Sequence, residues 1–170
     1  MNSTPVPQPS NLREFGEILG AIGICEGAGG IGAIATSKGV KTWYPTLKKP
    51  SFNPPPGVFG PVWTLLYALM GSALYLVWKA RRGDRDEADA AARLFAVQLA
   101  LNVLWSFIFF RFQKPGLALI EIVVLWIAIV KTVRAVFNVS SMAGWFMLPY
   151  LLWTSFAVAL NFSIWRLNDT

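Results

Sequence analysis

Three stripes of residues have the types and spacing to build a binding site. Gln98, Asn102 and Trp105 stand at i, i+4 and i+7, so on a helix they share one face. Trp153, Ala157, Leu160 and Asn161 share a face in the same way, and Trp63, Tyr67 and Met70 make a third stripe. Carried inward by separate helices, Trp63, Trp105 and Trp153 would wall a cavity, with Asn102 offering amide donors and an acceptor. Such a hollow suits a flat, mostly apolar ligand, because indoles give broad apolar faces and the amide sets orientation. The spacing fits equally well with Asn102 and Asn161 simply bridging neighbouring helices.

Two acids, Glu26 and Glu121, lie deep in apolar stretches. A charged carboxylate at mid-membrane costs on the order of 2.5–3.5 kcal/mol on insertion scales. Each is therefore expected to face the interior, accept hydrogen bonds or carry a proton. A proton relay is the transport reading; a satisfied packing pair is the structural reading and the favoured one. Glu17 falls near an interface and needs no special account. Other chemistry is scarce. There is no His, and Cys25 is the single cysteine, so neither an internal disulfide nor a CxxC motif exists. No metal site and no cofactor are expected. Gly27-Ala28-Gly29-Gly30-Ile31-Gly32 matches GxGxxG, but no strand precedes it and no acid follows at the dinucleotide spacing. Tight helix packing explains these glycines better: Gly16/Gly20 and Gly23/Gly27 are each four apart and let a neighbouring backbone come close.

The elements that must position these groups follow from composition. The chain has 170 residues, 55% of them apolar and 14% charged, with eight Trp and twelve Phe. Mean hydropathy is +0.49. A soluble domain of this size could not hide that much apolar surface. Five apolar segments, near 17–36, 61–77, 94–110, 117–136 and 145–165, have the length of membrane-spanning helices. The expected fold is an all-α integral membrane protein: a five-helix bundle with a Pro-rich loop between helices 1 and 2. Residues 12–168 form its one domain, after a flexible polar N-terminus over 1–11. That N-terminus has the features of neither a signal nor a transit peptide. Net charge is +6. The basic residues flank the segments, where they suit lipid headgroups rather than nucleic acid. Eight fall on one side and seven on the other, so charge does not orient the chain.

The loop over 38–60 is dense in Pro and aromatics: Pro45, Pro50, Pro54, Pro55 and Pro56, interleaved with Trp43, Tyr44, Phe52 and Phe59. Proline holds such a chain extended, so a non-helical course is expected throughout. It is too aromatic for a solvated linker. It reads as an ordered lid over one mouth of the bundle, in preference to a polyproline ligand for a partner domain.

These residues also carry a resemblance. Trp43-Tyr44-Pro45-Thr46-Leu47-Lys48-Lys49-Pro50-Ser51-Phe52-Asn53-Pro54-Pro55 resembles the WYxxLxKPxWxPP signature of the translocator protein family, also known as the tryptophan-rich sensory proteins, TspO/MBR or peripheral benzodiazepine receptors. Gly60-Pro61-Val62-Trp63 with Leu66-Tyr67 and Met70-Gly71, then Gln98-Leu99-Ala100-Leu101-Asn102 with Trp105 and Phe109-Phe110, continue it in order. Pro149-Tyr150-Leu151, Trp153, Leu160-Asn161-Phe162 and Trp165-Arg166 are similar to the family's last helix. The resemblance implies a multi-pass membrane protein that often dimerises and, in eukaryotes, sits mainly in the mitochondrial outer membrane. It implies binding of porphyrins and haem precursors, sterols, and isoquinoline or benzodiazepine-type ligands. It places the pocket at Ala33, Trp63, Asn102, Trp105, Trp153, Ala157 and Leu160, and the lid at Trp43, Leu47, Pro50 and Pro54. Leu160, Phe162 and Arg166 occupy a sterol-recognition-like pattern, with Phe162 in place of its Tyr. Phe52 stands where the family usually has Trp. Leu117 lies where vertebrate members carry a further pocket Trp, and Glu121 keeps the acidic character usual at its position.

Three functions compete on these grounds. One is a membrane receptor or translocator for apolar ligands. Another is a photochemical porphyrin-degrading enzyme working through Trp63, Trp105 or Trp153, which needs no acid–base pair. The third is a membrane scaffold that transports nothing.

Overall fold

The computed structural model describes residues 11–81, 83 and 85–169. The polar stretch 1–10 lies outside them. The described residues form five α-helices: α1 Asn11–Thr42, α2 Pro56–Ala80, α3 Arg85–Ser106, α4 Pro115–Val139 and α5 Ser141–Asn168. All five are long and apolar enough to cross a bilayer, with a π-helical turn, Phe107–Arg111, extending α3. No strand occurs among the described residues. The fold is the all-α five-helix bundle that the apolar segments predict.

Every helix outruns its apolar segment. Asn11, assigned by sequence to the N-terminus, opens α1. α3 begins at Arg85 rather than near 94, because 85–93 is rich in Ala, the best helix former. Asp86 and Glu87 favour the positive end of its dipole. Ala88 and Ala91 of that polar-looking turn are fully buried. Helix caps and interfacial turns are helical without being greasy, so hydropathy marks only the lipid-embedded middle.

The helices close into a ring in the order α1–α2–α5–α4–α3. Its centre is filled by Met70, Phe95, Ile122, Leu125, Ile129, Met147 and Tyr150. The expected close packing at Gly16/Gly20 and Gly23/Gly27 is absent, since a Cβ at any of the four would meet open space; the tight contacts fall instead at Gly71 and Gly29. A Cβ on Gly71 would strike the backbone of Ile22, and one on Gly29 would strike the Tyr67 ring. An ion pair, Lys79 Nζ to Glu14 Oε1 at 3.0 Å, joins α1 to α2 at one rim.

The loop corrects one expectation. α1 continues through Lys38–Thr42, and Pro56 starts α2 at a position where proline loses no helical bond. The irregular part is therefore only 43–55, with a 3-10 turn at Tyr44–Thr46. Trp43, Tyr44, Leu47 and Phe59 pack on a cluster of Ile108, Phe109, Ala118, Leu160 and Ile164. The last residue of α5 grips this loop from below. Asn168 Nδ2 donates to the Lys48 carbonyl at 2.9 Å, and the Lys48 amide donates to Asn168 Oδ1 at 3.0 Å. Asn168→Ala is expected to loosen the loop by about 1 kcal/mol, the net worth of such bonds near solvent. Limited proteolysis checks this: cleavage within 43–55 should speed up while the melting temperature of the bundle barely moves.

Candidate ligand cavity

Below the loop, α1, α2, α3 and α5 surround a cavity of ≈ 830 Å³. Aromatic pairs build its walls. Trp63 stacks on Tyr67 with centroids 5.4 Å apart, and Trp105 stacks on Phe109 at 5.2 Å. Trp153 meets Phe59 at 6.0 Å and Phe156 at 5.4 Å. These pairs arise because i, i+4 neighbours on a helix lie above one another, as Trp63/Tyr67 and Trp105/Phe109 do. The π-helical turn then adds a residue to the end of α3 and brings Phe110 in beside Phe109, 4.8 Å away. Gln113, at φ 55°, sits in the left-handed region and turns the chain from α3 into α4.

Six of the seven pocket residues implied by sequence line this cavity: Ala33, Trp63, Trp105, Trp153, Ala157 and Leu160. Asn102 does not. It lies behind the wall, buried, where its Oδ1 accepts from the Tyr67 hydroxyl at 2.6 Å and its Nδ2 donates to the Tyr150 hydroxyl at 3.1 Å. Asn161 is also a bridge. It accepts the Trp105 indole N–H at 3.0 Å and donates to the Pro115 carbonyl at 2.8 Å, joining α3, α4 and α5. Both amides bridge helices, and Asn161 also lines the cavity. Gln98 is fully buried, and neither atom of its side-chain amide has a hydrogen-bond partner among the described residues.

The two acids part company. Glu121 is buried on α4, yet neither of its oxygens has a partner, so the expected satisfied pairing is absent. Glu26 lines the cavity beside Gly29 and Gly30.

The loop residues also divide. Trp43 packs edge-on to Phe109 at 5.5 Å, and Leu47 joins the same cluster. Pro50 and Pro54 shape the loop rather than the cavity wall, the Pro50 carbonyl accepting the Asn53 amide at 3.0 Å. The wall is made by their neighbours Tyr44, Pro45, Lys49, Asn53 and Pro56. Tyr44 donates its hydroxyl to Asn53 Oδ1 at 2.7 Å, and Lys49 Nζ lies 4.9 Å from its ring centre. Burial pushes the Tyr44 phenol above its ordinary pKa, so it stays a donor. Sequence reasoning passed over these wall residues and Phe109, although Phe109 is spaced i+4 from Trp105 and that spacing could have found it. The sterol-like pattern does not assemble. Leu160 points into the cavity, whereas Phe162 and Arg166, one helical turn apart, lie on the exposed face of α5. Among the described residues no cluster of His, Cys, Asp or Glu could hold a metal.

The sequence profile of the TspO/MBR family matches residues 21–166. The chain belongs to the TspO/MBR family. Its relatives within that family come from distant hosts. It is 46% identical over 151 residues to the tryptophan-rich protein TspO of Chlorobaculum tepidum, covering 86% of this chain and 92% of that one. It is 42% identical over 126 residues to the human translocator protein, covering 74% of this chain and 75% of that one. It is 38% identical over 144 residues to protein CrtK of Rhodobacter capsulatus, covering 85% of this chain and 88% of that one. Family membership and five bilayer-length helices together make this an integral, multi-pass TspO/MBR membrane protein. They support a role as a membrane receptor or sensor.

Proposed function

We propose that this TspO/MBR protein binds flat, largely apolar ligands of the porphyrin or haem-precursor class in the cavity below the 43–55 loop, with sterols and isoquinoline-type molecules as weaker occupants. The observation that carries the proposal is the meeting of three indoles, from α2, α3 and α5, on one hollow. Its stacked pairs Trp63–Tyr67 and Trp105–Phe109 present ring faces to a planar guest. The scattering of Leu160, Phe162 and Arg166 argues against a dedicated sterol motif. The name translocator belongs to a relative. For this chain, binding comes first, and movement of the ligand across the membrane is a further step of the same proposal.

Protoporphyrin IX tests this, titrated into the purified protein in detergent with Trp fluorescence as readout. Saturable quenching is expected. Trp153→Ala should weaken the apparent affinity about tenfold, the loss of one stacked aromatic face. Trp126→Ala, on α4 and outside the cavity, should leave it unchanged. Quenching that never saturates, or that ignores Trp153→Ala, overturns the reading. Loss of the porphyrin spectrum that needs both light and protein would favour the photochemical enzyme instead.

A further inference from the structure

Glu26 stands at the middle of α1, which runs Asn11–Thr42. It is therefore near the centre of the bilayer, where a charge on a helix costs on the order of 2.5–3.5 kcal/mol and an ionisable residue marks a site by default. The residue is not tucked away. It is half-buried and lines the cavity with Gly30 and Tyr67. Among the described residues it forms no ion pair, while the Tyr67 hydroxyl is already turned to Asn102. A carboxylate in this position has no hydrogen-bond or ion-pair partner among the described residues, and it faces a space large enough for a ligand. The other ionisable wall residue that bears a charge, Lys49, belongs to the loop at the opposite end, its Nζ donating to the Leu47 carbonyl at 3.0 Å. Along α1, the wall from Glu26 to Val40 is about 21 Å long at the helical rise of 1.5 Å per residue.

We infer that Glu26 is the counter-group for a protonated amine or an N–H donor on the ligand, so that the cavity selects flat apolar molecules bearing a cationic or N–H-rich nitrogen. Pairing removes the penalty on both partners at once: the carboxylate gains a donor, and the ligand's charge is not left bare in an apolar hollow. Lys49 at the loop end gives the cavity opposite signs at its two ends and sets the ligand's direction, nitrogen inward and any acidic group towards the loop. This rests on the proposed ligand cavity and adds the chemistry that selects among its occupants.

Three probes of one shape test it: 9-aminoacridine, which is a cation at neutral pH, neutral anthracene, and anthracene-9-carboxylate. Each is titrated against full-length protein in one detergent by Trp quenching, corrected with protein-free micelles. The cation should bind about tenfold tighter than anthracene, the scale of one charge-assisted contact, and tighter than the carboxylate. Glu26→Gln should abolish that order while leaving anthracene within about twofold, and Glu26→Asp should keep it. Equal binding of cation and anthracene by the unaltered protein overturns the inference, as does an order that survives Glu26→Gln. In both cases saturable anthracene binding leaves the cavity reading standing. Failure of all three probes to saturate removes both.

Discussion

Asn102→Leu is expected to destabilise the bundle by about 1–3 kcal/mol, with the loss arising inside the helix ring rather than in the cavity. The reason is geometric. Asn102 answers two phenols at once, Tyr67 from α2 and Tyr150 from α5, while it sits on α3 itself. Leucine has similar volume and no polar atoms, so packing is nearly kept and the change isolates the hydrogen bonds. Both hydroxyls then lose the amide that answers them in a largely apolar interior. The size is held down because polar contacts within membranes average well under their vacuum worth, the unfolded reference state also finding partners. Tyr67→Phe with Tyr150→Phe, added to Asn102→Leu, should recover most of the loss, since removing all partners together leaves nothing unsatisfied. Reversible unfolding in mixed micelles, comparing the single, double and triple variants, checks this. A single variant as stable as the parent would show that the three polar groups contribute nothing.

Gly71→Leu should do more damage still, by forcing α1 away from α2. The Cβ alone would run into the Ile22 backbone, and a backbone cannot swing aside as a side-chain tip can. Overpacking a filled interface costs about 1–3 kcal/mol and occasionally more. Here the displaced helix also forms one wall of the cavity, so ligand affinity should fall with stability. Gly16→Leu is the matched control, because a Cβ there meets open space on the same helix pair. Thermal melting and protoporphyrin titration of both variants distinguish the outcomes. A Gly71→Leu protein that melts and binds like Gly16→Leu would refute the close approach.

The bundle itself was legible because a spanning helix must be apolar for about 20 residues, a signal hard to imitate. Its ends were not. The Ala-rich turn at the start of α3 and the turn Lys38–Thr42 at the end of α1 are helical but polar, and hydropathy stops where lipid stops. The inward position of Trp63, Trp105 and Trp153 followed from helical spacing. What spacing could not say was which hydroxyl waits opposite Asn102, because Tyr150 arrives from a helix 48 residues further on. Spacing likewise could not separate Glu26 from Glu121. Both are acids in apolar stretches, and only the ring order of the helices turns one towards the hollow and the other towards packed neighbours. The π-helical turn at Phe107–Arg111 carries no sequence mark, yet it changes which phenylalanines reach the cavity.

The grip of Asn168 on Lys48 couples the two extremes of the fold. Terminal turns unravel at small free energy, far below global unfolding. Fraying at the tail of α5 is therefore expected to free the Lys48 end of the loop, while its aromatic residues stay packed on the bundle. For the proposed guest, escape is expected to depend in part on one amide that never touches it.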